Sequence, residues 1–507
     1  MKAHLMYRGS DFDLSRVWLS NEPALTQDLE LNTLYQAMAG SDEFLFQVVK
    51  GAILSGLGND VKTILYRQAV LKDCLQNESV VRGFYEIAIQ ALERKRANWL
   101  GVFSHYPSGI LYDAVRLLQM LIEAAGKLKS VADAEGGKFA SEGFCVFFQT
   151  LKTELSADYF ATVKAQLKEL ELRDGVLLSA KLGEGNQGTD YVLRKSVRPK
   201  PGLLERLFAN RPAVYKFHID PRDEGGCRAL SDLQDHGINL VANAVAQAAD
   251  HVLDFFMMLR TELAFYVGCM NLHGLLRQKG VTTSFPFPME AGTQRHSAVE
   301  LRDIGLVLST SKNVVGNELN ADGKILLIVT GANQGGKSTF LRSLGLAQLM
   351  MQSGMFVCAQ SFRASVCRSL FTHYKREEDA SMESGKFDEE LSRMSGIVEA
   401  LTPVSLVLFN ESFAATNERE GSEIATQIVR ALLEAGVKIF FVTHLYEFAH
   451  GLWEHLKDEG VFLRAQRESD GQRTFKLIPG EPLETSFGAD LYREIFAEAE
   501  HAELLKS

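Results

Sequence analysis

Residues that stiffen or cross-link a chain are scarce here: 11 prolines and 6 cysteines in 507 residues, with 3 tryptophans. Cys74, Cys145, Cys227, Cys269, Cys358 and Cys367 are scattered and form no C-x-x-C pair. That argues against a zinc site or a disulfide frame and suits a reducing, cytoplasmic setting. No uncharged apolar run reaches the roughly 18 residues that a spanning helix needs, so no membrane association is expected. The first residues, Met1-Lys2-Ala3-His4-Leu5, carry no apolar segment of the secretory type. Low-complexity tracts are absent. Positive charge is also short: the net charge is −10. Any contact with nucleic acid must then come from a local basic patch.

What is present is organised around Gly331-Ala332-Asn333-Gln334-Gly335-Gly336-Lys337-Ser338-Thr339. An apolar run, Ile325 to Thr330, precedes it and reads as a buried strand. A helix start, Phe340 to Leu346, follows. Strand, glycine loop, Lys-Ser and helix is the context in which G-x-x-x-x-G-K-[ST] acquires a mechanism. The glycines let backbone N–H groups face a phosphate, Lys337 supplies a charge for the β- and γ-phosphates, and Ser338 offers a hydroxyl to Mg²⁺. The chemistry implied is ATP binding with Mg²⁺.

The rest of the chain reads in order as follows. Residues 1–30 are polar and irregular. Residues 30–130 are helical, with Leu31, Leu34, Tyr35 and Met38 on one face. A helix is predicted from Leu151 to Leu172 and a strand-like end from Gly175 to Ala180. Between Arg194 and Arg222, eight basic residues face two acidic ones. In an acidic chain this is the best candidate for a phosphate-backbone contact, through Arg194, Lys195, Arg198 and Lys200, although a solvated loop has the same composition. Residues 241–278 carry a heptad seam, Val245, Val252, Phe256, Leu259, Leu263, Tyr266 and Met270, which predicts a helix about 55 Å long. Pro286 and Pro288 end it.

Two further strands follow the loop. Ser405 to Phe409 ends in Asn410-Glu411, and Lys438 to Val442 ends in Thr443-His444. Glu411 at the carboxyl end of a parallel strand sits where ligands gather in open α/β sheets and can orient or deprotonate an attacking water. His444 can donate to the γ-phosphate and report its presence.

These stretches resemble the MutS family of DNA mismatch-repair ATPases, a branch of the ABC-type P-loop fold. Thr330 to Arg342 looks like that family's T-G-x-N-x-G-G-K-S-T-x-x-R. Asn317-Glu318-Leu319 is similar to its N-D-[IL] beside the nucleotide, and Gly354 to Ala359 to its G-x-x-V-P-A strand. Asn410 to Gly421 aligns without gaps on D-E-x-x-x-G-T-[ST]-x-x-[DE]-G, and Thr443-His444 matches the T-H switch. Ser486-Phe487-Gly488 is similar to the family's S-[YF]-G tail. The resemblance implies an α/β plus α protein, an ABC-type ATPase domain preceded by an α-helical core and lever domain. It implies a homodimer whose ATPase modules meet over nucleotide, and by analogy a DNA clamp near the basic stretch. The expected organisation is a helical core at 1–130, a lever and clamp-like region with the basic segment at 131–240, a returning lever helix at 241–288 and the ABC-type ATPase domain with a C-terminal helical tail at 289–507.

The departures from the family pattern have chemical consequences. The chain begins almost at the lever, so mismatch-reading and connector domains are expected to be absent. Phe84-Tyr85-Glu86 matches the bare F-x-E of mismatch readers but sits in a helical pattern and reads as packing. Asn410 replaces the usual aspartate, which leaves Ser338 and a neutral amide to hold Mg²⁺. Gly385-Lys386-Phe387-Asp388-Glu389-Glu390 stands where the family's partner-reaching S-T-F-x-x-E would be, with Ser384 or Ser381 as substitutes for its serine. Ala415 replaces a glycine. The expected function is a DNA-binding ATPase that couples ATP binding and hydrolysis to movement of a helical lever or clamp, in DNA repair or recombination. The alternative is a weakly hydrolysing, ATP-gated dimerisation scaffold with a protein partner. A small-molecule kinase or transporter ATPase fits the helical half poorly.

Overall fold

The computed structural model describes residues 1–15, 19–98, 106–173, 175–195, 218–220, 222–376, 385–467 and 473–484. Two compact units emerge, and each is discontinuous in sequence. One gathers Met1–Ala3, Ser79–Phe139 and Phe144–Arg260; the other gathers His4–Glu78, Ala140–Gly143 and the chain from Thr261 onward.

Among its described residues the first unit is helical except for one hairpin. Its long helix Pro107–Glu135 buries Leu111, Val115, Leu118, Ile122, Ala125 and Leu128, spaced three or four apart as one face requires. Leu167 and, farther along the chain, Ile238, Ala242, Val245 and Ala249 close over its first turns. Phe84 is fully buried and meets Phe147 edge-on at 6.3 Å, so its place in F-x-E is a packing role. The hairpin pairs β1 (Leu177–Leu182) with β2 (Gly188–Arg194) in antiparallel register. The helix predicted from Leu151 to Leu172 is instead two. Glu142–Glu154 ends, and Ser156 caps Ala157–Leu170 by accepting from the Tyr159 N–H at 3.1 Å.

The seam helix is longer than its heptads suggest: Glu224–Gln278, about 80 Å at 1.5 Å per residue. All seam residues but Val252 are buried. Its N-terminal extension carries more glycine and charge, Gly225, Gly226, Asp232, Asp235 and Gly237, which masked the period.

The second unit is built on sheets. A small one orders β3 (Phe287–Met289), β4 (His296–Leu301), β5 (Asn317–Asn320) and β7 (Ser361–Ser365) as β3-β7-β4-β5. The main sheet adds β6 (Leu326–Thr330), β8 (Ser369–Tyr374), β9 (Ser405–Asn410), β10 (Lys438–Val442), β11 (Gly460–Arg467) and β12 (Arg473–Pro479), ordered β12-β11-β6-β10-β9-β8. All four pairings among β11, β6, β10, β9 and β8 are parallel, and β12 is the antiparallel edge. Every residue of β6 is buried, as expected of a parallel strand covered on both faces. Ile328, Val407, Phe409, Ile439 and Phe441 pack with Val429, Leu432 and Phe448 from the helices Glu418–Glu434 and Tyr446–Leu456. Each such side chain contributes about 1.5–3 kcal/mol on burial. Gly345, in the helix Lys337–Gln352, lies so close to Leu408 that an added Cβ would meet its Cδ1 at 2.7 Å.

Two further expectations need correction. Gly354 to Ala359 forms no regular strand; Val357 makes a single bridge to Ser284, and the segment is buried instead. Residues 1–30 are not uniformly irregular. Glu22–Asp28 is a helix, and Leu5, Met6 and Phe12 are buried. The Glu262 carboxylate accepts from the Leu5 N–H at 2.6 Å and the Phe12 N–H at 3.1 Å, and the Tyr266 hydroxyl donates to the Leu5 carbonyl at 2.7 Å. Partners more than 200 positions away left no local pattern to read.

Candidate functional site

The parallel register brings three chain ends to one edge. Val442 of β10 faces Val329 of β6 on one side and Asn410 of β9 on the other. The Glu411 N–H then donates to the Val442 carbonyl at 2.8 Å, and the Thr443 N–H to the Val329 carbonyl at 3.1 Å. The glycine loop leaves β6 at this edge and enters the helix Lys337–Gln352.

The loop is tight for reasons that can be named. Gly331 and Gly336 have φ of 107° and 88°, where a side chain would be strained. A Cβ on Gly335 would meet the Ala465 Cβ at 2.7 Å and the Ala332 carbonyl oxygen at 2.9 Å. The loop can therefore keep this path only because these positions have no side chain. Lys337 is buried, and its ammonium donates to the carbonyls of Gly331 at 2.7 Å and Ala332 at 3.0 Å. Burial pulls its pKa below the ordinary value, and the negative charge of Glu411 opposes that shift. The Ser338 hydroxyl donates to the Asn410 Oδ1 at 2.8 Å.

A cavity of about 360 Å³ opens over the loop. Asn317, Asn333, Gln334, Gly335, Gly336, Lys337, Ser338, Thr339 and Glu411 line it. Gly331 and Ala332 lie behind Lys337, and Asn410 behind Ser338. His444 is exposed just beyond β10 and is not part of the cavity wall. Arg194 and Lys195 belong to the other unit. Arg194 donates to the Ser179 hydroxyl at 2.9 Å, and Lys195 pairs with Glu169 at 2.8 Å. Arg198, Lys200, Ser381, Ser384 and Ser486-Phe487-Gly488 lie outside the described residues.

Several wall residues had no signal in the sequence. Asp303 lines the cavity, caps the helix Ile304–Ser309 through the Leu306 N–H at 2.7 Å, and holds Arg342 by two bonds of 2.9 Å each. Arg342 also binds Glu30. This fork fixes the helix that follows the loop. The β11–β12 hairpin covers the loop. Phe475 is partly exposed on the cavity wall, Arg473 donates to the Gln334 Oε1 at 2.6 Å, and Asn317 ties to the Phe475 carbonyl and the Leu477 N–H at 3.1 and 2.8 Å. Glu411 and Phe413 have positive φ, 54° and 63°, a strained setting for non-glycine residues.

The donor set suits a nucleotide with a hard cation. Loop residues 333–336 and Lys337 line one cavity, and the Ser338 hydroxyl and Asn410 side-chain oxygen are neighbouring oxygens of the kind Mg²⁺ prefers. Among the described residues no group of three or more His, Cys, Asp or Glu side chains forms a separate metal cluster.

A glycine loop set between a buried parallel strand and a helix, with Lys-Ser at its exit, defines the class: a P-loop domain on a mixed α/β scaffold. Comparison with known families narrows it. Residues 327–497 match MutS domain V, an ABC-like P-loop ATPase domain, and residues 59–279 match the MutS2 N-terminal domain. The chain belongs to the MutS-like family. It is 35% identical over 220 residues to the DNA mismatch repair protein MutS of Porphyromonas gingivalis, covering 42% of this chain and 24% of that protein. It is 28% identical over 275 residues to the DNA mismatch repair protein MutS of Lactobacillus acidophilus, covering 51% and 32%. It is 29% identical over 188 residues to MutS protein homolog 4 of Mus musculus, covering 36% and 20%. The matched part thus spans no more than a third of these relatives' lengths. No helix among the described residues is long and apolar enough to cross a membrane.

Proposed function

We propose that the chain is an ATPase that couples ATP binding and hydrolysis to a conformational change of its helical unit on DNA. The observation that carries this is the meeting of Lys337, Ser338 and Glu411 on one cavity wall, with Asn410 bonded to Ser338. The substrate's phosphates lie over residues 335–339, at the positive end of the helix Lys337–Gln352. Lys337 exchanges its two carbonyl partners for β- and γ-phosphate oxygens. Ser338 and Asn410 would hold Mg²⁺, whose chemistry is to neutralise charge on the phosphates. Glu411 orients a water for in-line attack on the γ-phosphorus and accepts its proton while the bond to the ADP oxygen breaks. Leu301, Leu306, Val314 and Phe475 give the base an apolar wall. His444, one residue past the Thr443 contact with β6, senses the γ-phosphate when the edge closes. A second copy of the chain completes the site in a homodimer, and the protein works in the cytoplasm.

Asn410 favours a second reading. A neutral amide holds Mg²⁺ less firmly than a carboxylate, which suits a slow, ATP-gated dimerisation scaffold with a protein partner. Phosphate release measured with duplex, branched and single-stranded DNA separates the two. Stimulation by DNA that fades steeply with salt supports the first. ATP-dependent dimerisation with negligible, DNA-indifferent turnover defeats it. Reversing Arg194, Lys195, Arg198 and Lys200 to Glu should weaken DNA binding; unchanged affinity removes the clamp.

A further inference from the structure

Behind Glu411 lies a fully buried histidine that the proposed reaction has not used. His373 sits in β8, stacked on Phe413 with ring centroids 5.3 Å apart. Burial pushes its pKa down to about 4, so the ring is neutral near pH 7. Its Nε2 lies 3.0 Å from the Glu390 carbonyl oxygen, which can only accept. Nε2 must therefore carry the hydrogen, and Nδ1 is left as an acceptor. The group 2.8 Å from Nδ1 is the Ser412 hydroxyl, the side chain immediately after Glu411. That hydroxyl hydrogen faces two acceptors on one residue: Nδ1, and the His373 carbonyl oxygen at 2.5 Å.

Ser412 is the midpoint of a strained turn. Glu411 before it and Phe413 after it both have positive φ. Without an anchor, a non-glycine pair of this kind relaxes to the ordinary regions of φ and ψ. The Ser412 side chain reaches His373, the Phe413 ring is pinned under the imidazole, and the helix Glu418–Glu434 presses Gly421 against the Phe413 carbonyl. An added Cβ at Gly421 would lie 2.3 Å from that oxygen.

We propose that His373 is a positioning residue that holds Glu411 in its working geometry through Ser412. The proposal rests on the reading of Glu411 as the residue that orients water. The same chain of bonds, from the Glu390 carbonyl through the imidazole to the Ser412 hydroxyl, links Glu411 to the helix Lys386–Ala400. That helix begins at the segment resembling the family's partner-reaching motif, so a shift there reaches Glu411 directly.

The test compares wild type, His373→Phe, Ser412→Ala, the double variant and His373→Gln for ATP turnover and ATP binding in the full chain. His373→Phe keeps the stacked ring and the Ser412 bond to the main-chain carbonyl of residue 373, and removes the two hydrogen bonds of the imidazole. It should lower kcat at least tenfold while KM for ATP stays within about twofold, because the glycine loop is untouched. Ser412→Ala should do the same, and the double variant should be no slower than the slower single variant, as residues acting in one chain are not additive. His373→Gln, which keeps one donor and one acceptor, should recover part of the rate. Wild-type kcat in His373→Phe overturns the inference while leaving the ATPase reading intact. A wild-type chain with no Lys337-dependent turnover overturns that reading and this inference with it. Nitrogen-15 spectra of labelled histidine give a readout independent of turnover: an Nε2–H neutral ring is expected for His373, and an Nδ1–H tautomer overturns the chain of bonds.

Discussion

Two buried charges in the same unit are handled in opposite ways. Glu262 is fully buried, with the Leu5 and Phe12 amides donating to its two oxygens. Lys337 is also buried, but its partners are two carbonyl dipoles and it forms part of a cavity wall. The first arrangement is complete, so it holds structure: it binds the N-terminal segment to the seam helix. The second is incomplete, so it can accept a ligand, and a polyanion supplies what the carbonyls lack. Burial alone does not distinguish a structural charge from a functional one; the completeness of its partners does.

The largest expected effect breaks the second arrangement. Lys337→Ala should reduce ATP binding and turnover on the order of a hundredfold or more, with little change in melting temperature. Glu262→Ala should do the reverse. It strands two buried amides and opens a void, costing about 2–4 kcal/mol of stability in chemical denaturation, while the ATP affinity of the folded fraction stays near wild type.

The next test is pH. Burial, aided by nearby Asp11, raises the Glu262 pKa to about 7, against an ordinary value near 4.5. The folded state therefore keeps a proton that the unfolded state releases. The stability from this group is complete below about pH 4.5 and is lost as pH rises through 7. Glu262→Gln should remove that slope, so wild type should lose ground to the variant between pH 4.5 and 7 by about 3 kcal/mol at most. Parallel pH profiles of the two melting curves would contradict the assignment. Gly421→Ala should cost about 1–3 kcal/mol, because the new Cβ forces the helix off the Phe413 carbonyl, and turnover should fall with it. The smallest effect is at the mouth of the cavity: Phe475→Ala should raise KM for ATP a fewfold, about 1 kcal/mol, with kcat nearly unchanged.

Periodicity read well where a face is long and repetitive. The seam of Val245 to Met270 and the apolar runs of β6, β9 and β10 lie where the pattern put them. It read poorly where the period is interrupted or short. The break at Leu155-Ser156 leaves no mark in the pattern because apolar residues continue through it, and the glycine-bearing start of the seam helix hides its first turns. The buried, non-strand path of 354–359 looks like a strand in sequence because both are apolar.

The sequence alone marked the glycine loop, Lys337 and Ser338, and the acidic end of β9, because phosphate recognition of this type uses consecutive backbone groups at the junction of a strand and a helix. Folding decided the rest. Asp303 reaches Arg342, Phe475 covers the loop, His373 stands behind Ser412, and Glu262 holds Leu5 and Phe12. Each of those pairings joins residues from 39 to 257 positions apart, and a contact between distant segments leaves no spacing in the chain from which it could be read.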